Sequence, residues 1–166
     1  MERLIELIEI DFIKSNPAIV LSGRSHYFDD VIYRICKPAA KAGDLEKQII
    51  RFLELSGHQA AKADVKGTYV EGKRDNNTGV ITKGRYIKTG ATKGAADVQA
   101  TLFGLSVKWE VKFSMSDRQR PAQKDYQNAV ERAGGFYFIV RTFEQFIEQY
   151  DRLMENPKVV LLKEFS

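Results

Sequence analysis

The sequence predicts an α/β domain, on three observations. Apolar residues recur at helical spacing over 2–14, 45–56 and 143–154. Strict alternation, the mark of a half-buried strand, fills 106–113. A continuous apolar run at 136–140, suited to a central strand, lies between two helical segments. The 166 residues are 43% hydrophobic and 29% charged, the balance of a folded domain rather than a disordered chain. That length allows one domain with a real core, or one domain plus an extension.

Each element has a local reason. Leu4, Ile5, Ile8 and Phe12 make the first helix amphipathic, and Asn16-Pro17 breaks it. Residues 18–21 fit a short strand and 28–35 fit either type. Asp44 is placed to cap a helix over 45–56, closed by Gly57. Leu45, Ile49 and Leu53 form its core stripe, with Phe52 beside it, and Glu46 sits at the stripe's edge, where a carboxylate can look inward. Residues 58–66 read as a strand.

Residues 67–94 are rich in Gly, Thr, Asn and Lys and read as a long hairpin or loop. From Lys62 to Lys93, eight basic residues stand against three acidic ones, giving +5, more than the +4 of the whole chain. Lys73, Arg74, Lys83, Arg85, Lys88 and Lys93, interleaved with Tyr69 and Tyr86, have the composition of a segment that tracks nucleic-acid phosphates.

Two strands follow, 97–103 and 106–113, with Gly104 marking a tight hairpin. In the second, Val107, Trp109, Val111 and Phe113 take one face and Lys108, Glu110 and Lys112 the other. Ser116 or Asp117 then caps a helix to about 133, although Pro121 moves its start toward Arg120. Gly134-Gly135 ends it. Thr142 caps a helix to about 154, with Phe143, Phe146, Ile147 and Tyr150 on its apolar side, and 159–162 reads as a last short strand.

Alternation puts Glu110 and Lys112 on one face of one strand. A connection of two or four residues places Asp97 directly across from Glu110; a three-residue loop without a bulge breaks that geometry. Opposed carboxylates have Cβ atoms roughly 5 Å apart, and they repel unless something compensates. A divalent cation sharing oxygen ligands is the natural compensator. With Lys112 to orient water or stabilise charge on phosphate, the set suits phosphodiester hydrolysis. Glu46 can reach the same cation, and Gln123 can hold the water or the substrate backbone.

Other chemistries lack their motifs. In the segment from Gly90 to Gly94, Lys93 precedes the last glycine and the spacing is too short for a phosphate loop. His26, Cys36 and His58 have no zinc-site spacing, and no Gly-x-Ser-x-Gly elbow is present. A single cysteine fits a reducing compartment. No signal-like start and no run approaching the roughly 18 apolar residues of a membrane span is seen, so the expected setting is cytoplasmic, without a membrane partner.

Glu46, then Gly94-Ala95-Ala96-Asp97, then Glu110-Val111-Lys112, then Gln123 resembles the PD-(D/E)xK nuclease superfamily and, within it, the VRR-NUC (virus-type replication-repair nuclease) family. The resemblance covers roughly 44–154, and Ala96 stands where the family often has Pro. It implies a restriction-endonuclease-like fold, a central mixed β-sheet flanked by helices. It implies a nuclease domain over 44–166, with 1–43 as an extension of unknown role. It implies catalysis by Glu46, Asp97, Glu110, Lys112 and Gln123, with Mg²⁺ or Mn²⁺ on Asp97, Glu110 and Glu46. Stand-alone members are similar to structure-specific endonucleases and junction resolvases, often homodimeric, acting on branched or duplex DNA in replication, recombination or repair. The rival expectation is a nucleic-acid-binding module that keeps the fold and does not cut.

Overall fold

Four strands form one sheet in the order β1-β4-β5-β6: β1 (Gln59–Lys62), β4 (Val98–Leu102), β5 (Leu105–Val111) and β6 (Phe136–Val140). A second, two-stranded sheet pairs β2 (Thr68–Val70) with β3 (Arg85–Ile87). The helices are α1 (Glu2–Ser15), α2 (Ala42–Leu55), α3 (Pro121–Arg132), α4 (Phe143–Met154) and α5 (Pro157–Lys163). The computed structural model describes residues 1–15, 32, 34–63, 68–72, 81, 83–87 and 92–165. The class is therefore mixed α/β, a four-stranded mixed sheet flanked by helices.

The β1/β4 and β4/β5 pairs are antiparallel, whereas β6 joins β5 in parallel after the α3 crossover. One sheet face carries Val98, Val107 and Trp109, all fully buried, beneath α1, α2 and α4. Phe146 of α4 meets the Trp109 ring edge-on at 5.4 Å and the Phe52 ring of α2 at 5.4 Å. Each such aromatic pair stabilises by about 0.5–1.5 kcal/mol beyond area burial. Trp109 is thus a core residue. Leu4 and Ile8 of α1 are buried in the same cluster as Leu45 and Ile49, so a single core spans the boundary expected at residue 43.

Several local expectations need correction. α2 starts at Ala42, with Lys41 at its N-cap. Asp44 lies in the first turn, where its carboxylate accepts from the Ala40 N–H and still offsets the helix dipole. Ser116 and Asp117 do not cap α3; Asp117 accepts from Ser114 N and closes a turn. With β1 at the other edge, β6 is an edge strand of its sheet among the described residues. Its unbroken apolar run reflects α3 packing near one face and α4 near the other. The strand expected at 159–162 is helical, because Asn156 caps with its side chain and Pro157 is preset for a first turn. The expected segment 67–94 does contain a hairpin, β2/β3. The strand expected at 18–21 lies outside the described residues; of the segment 28–35, which fitted either type, the described residues 32, 34 and 35 are helical. No helix among the described residues is long and apolar enough to cross a membrane.

Candidate active site

Two residues, Phe103 and Gly104, connect β4 to β5, with φ of 49° and 78°. Positive φ at both centres matches the twist of the flanking strands. Val98 then pairs with Trp109, so Asp97, one residue before β4, stands across from Glu110. The backbone of Asp97 is held from the other side as well, since Ala63 N donates to its carbonyl.

The side chains converge. Asp97 Oδ2 accepts from Val111 N at 2.9 Å. Lys112 Nζ lies 2.6 Å from Glu110 Oε1 and 3.1 Å from Gln123 Oε1. The Gln123 Nε2 donates to the same Glu110 oxygen. Glu110 and Lys112 are buried at 1% and 8% exposure, so the alternating strand is covered on both faces at this end. Burial raises the Asp97 pKa; the Val111 N–H opposes this, the Glu46 charge adds to it, and Lys112 and Lys62 work against it. Burial likewise raises the Glu110 pKa, opposed by its hydrogen bond from Lys112 and reinforced by the Asp97 charge. Two carboxylates facing each other in a desolvated place favour a proton or a cation between them.

Gln123 arrives by a close approach. Gly94 has φ of 81°, and a Cβ built on it falls 2.2 Å from the Ala122 carbonyl oxygen. Only glycine lets the segment before Asp97 press against the first turn of α3. There Gln123 Oε1 also accepts from Arg120 N at 2.9 Å, so one amide both closes the helix start and ties the site.

Glu46 is buried at 6% exposure and is ion-paired with Lys62 of β1. Its charge acts on Asp97, but it does not line the open cleft of about 430 Å³ that Asp97, Glu110, Lys112 and Gln123 share. Among the described residues, no three His, Cys, Asp or Glu side chains form a group able to hold an ion. The residues that fit a hard cation are thus Asp97 and Glu110. Both are oxygen donors with raised proton affinity, and among the described residues no hydrogen bond reaches Asp97 Oδ1.

Three further groups were not foreseen. The Tyr137 hydroxyl, in the apolar run of β6, donates to Glu110 Oε2 at 3.3 Å. Burial, and then the Glu110 charge, push its pKa well up. Arg118 and Arg120 line the cleft and are exposed. Of the expected phosphate contacts, Lys93 is exposed on the cleft wall, Lys83 is exposed just before β3 and Arg85 is exposed at its start. Lys73, Arg74 and Lys88 lie outside the described residues.

Comparison with protein-family models, curated proteins and solved structures yields no match to this chain.

Proposed function

We propose that this chain is a metal-dependent endonuclease that hydrolyses DNA phosphodiester bonds, with a preference for branched DNA. One observation carries the reading. Asp97, Glu110, Lys112 and Gln123, from the β4/β5 hairpin and α3, share one cleft whose rim is basic. A purely structural salt bridge gives no reason to set a buried and a half-buried carboxylate opposite each other beside an ammonium, since clustering them costs desolvation. The order of these residues along the chain supports a VRR-NUC-like domain of the PD-(D/E)xK superfamily, and the helix-flanked mixed sheet is compatible with a restriction-endonuclease-like fold.

In this reading Asp97 and Glu110 would hold Mg²⁺ or Mn²⁺, which when bound supplies Lewis-acid polarisation and a lowered pKa for water. Lys112 places its ammonium where negative charge develops on the phosphate. Gln123 fixes Lys112 and Glu110 relative to each other, so the reacting geometry is set before substrate arrives. Glu46, paired with Lys62, tunes the field at Asp97. Lys93, Arg118 and Arg120 at the rim offer charge to the DNA backbone without a base code.

One observation favours the rival, a binding module on the same frame. Both Glu110 oxygens already accept hydrogen bonds, from Lys112 and Gln123 on one and Tyr137 on the other. The deciding experiment is cleavage of labelled four-way-junction and duplex DNA by wild type and Asp97→Ala, in Mg²⁺, Mn²⁺ or EDTA. Metal-dependent cutting that Asp97→Ala abolishes supports the nuclease. Binding in EDTA with no cutting in either metal supports the module.

A further inference from the structure

The segment between Lys112 and Asp117, two residues that line the cleft, makes a tight turn with an unusual occupant at its tip. Met115 is 82% exposed, the most exposed large apolar side chain among the described residues. An exposed methionine on a slack loop would mean little. This turn is held from several sides. Asp117 Oδ2 accepts from Ser114 N at 3.1 Å, and Asp117 N returns a bond to the Ser114 carbonyl at 3.1 Å. The Ser114 and Ser116 hydroxyls are 2.8 Å apart. Beneath it, the Arg141 guanidinium donates to the carbonyls of Lys112, Ser114 and Asp117. One charged group thereby fixes both ends of the turn against the edge strand β6.

The backbone at Met115 is therefore set before any partner binds, while its thioether chain stays in water. Arg118 and Arg120 follow directly and line the cleft. A projecting apolar side chain on a fixed turn, followed along the chain by two guanidinium groups that line the cleft, has the chemistry of a wedge. Such side chains enter between base steps while nearby cations hold the backbone. Entry costs unstacking, and that cost is least where the stack is already interrupted.

We infer that Met115 is a base-step wedge that makes this cleft prefer DNA with an interrupted stack, such as a nick or branch point, over continuous duplex. The inference rests on the nuclease reading for its consequence in cutting, but the wedge itself is a property of binding.

The test has two arms. In EDTA, a nicked duplex carrying 2-aminopurine at the interrupted step is titrated to saturation with wild type, Met115→Ala and Met115→Leu. Wild type and Met115→Leu raise the fluorescence by unstacking the probe, and Met115→Ala does not. In Mg²⁺, the ratio of nicked-or-branched to continuous-duplex cleavage falls on the order of tenfold in Met115→Ala and is restored by Met115→Leu, a difference of about 1.4 kcal/mol in selectivity. A fluorescence rise in Met115→Ala equal to that of wild type, together with an unchanged cleavage ratio, overturns the wedge. If wild type cuts neither DNA, the nuclease reading falls, and the fluorescence arm alone decides for or against Met115.

Discussion

Gly94 lies so close to Ala122 that a methyl group on it would overlap the Ala122 carbonyl, 2.2 Å away. The contact joins the segment that delivers Asp97 to the helix that delivers Gln123. Gly94→Ala therefore meets two obstacles, the clash and a left-handed φ of 81°. The conformational part alone costs about 1–3 kcal/mol. The expected outcome is a lowered melting temperature together with a fall in kcat on the order of 100-fold, since a 1 Å misplacement is enough for that. A Gly94→Ala protein of wild-type activity would mean that α3 does not need this seat.

Asp97→Asn removes one of two opposed, desolvated carboxylates while keeping an acceptor for Val111 N. In EDTA the variant should melt about 2–4 °C higher, the shift expected for about 1 kcal/mol in a chain this size. With Mg²⁺ the order reverses. Wild type gains stability by mass action and the variant does not. Scanning calorimetry with and without the ion reads both effects, and equal stabilisation of the two proteins by Mg²⁺ would remove Asp97 from the ligand set.

The rim arginines make a different prediction. Arg118→Ala and Arg120→Ala should each raise the DNA concentration for half-maximal cutting and leave kcat nearly unchanged. Each should also reduce the slope of log affinity against log salt by about 1. Fluorescence-anisotropy titrations between low and moderate salt give that slope. A slope that stays put places these side chains off the DNA path.

His58 predicts a pH dependence far from the site. Its Nε2 is 2.9 Å from the Tyr150 hydroxyl, and burial, then the Lys163 charge, lower its pKa below the ordinary imidazole value of 6.5. The unfolded chain binds this proton more readily than the folded one, so stability rises with pH through that window. The contribution is fully present above about 6.5 and declines as pH falls from there toward the depressed folded value. Urea midpoints at pH 7.5 and 5.5 should differ less in His58→Gln than in wild type; identical differences would assign the acid loss elsewhere.

The legible part of the site is the part built on short-range rules. Period-two alternation placed Glu110 and Lys112 together, and Asp97 opposite Glu110 depended on a turn of two or four residues, a condition the two-residue turn meets. Helix signals located α3 and α4 well, and Gln123 came with α3. What stayed hidden depends on distant segments. The partner of Glu46 is Lys62 on β1, and nothing in the spacing of 46 and 62 reveals it. Tyr137 reaches Glu110 only through the parallel β5/β6 register, which a crossover helix sets and a sequence pattern does not. The same limit suggested the middle of the sheet for β6, which stands at an edge. At 159–162 a short apolar run suits a strand, whereas in the fold the Asn156 cap and Pro157 start a helix there.

The turn at Phe103-Gly104 also says what kinds of change this chain can absorb. A site aligned by the number of residues in a turn is indifferent to much of their chemistry, provided the backbone can reach a left-handed conformation. Length is another matter. One residue added there and taken up by the pairing would slip β4 by a single step. Asp97 would then turn toward the aromatic core and a buried apolar neighbour would move out beside Glu110. Over many generations such a chain can drift in the letters of its hairpin far more freely than in their count.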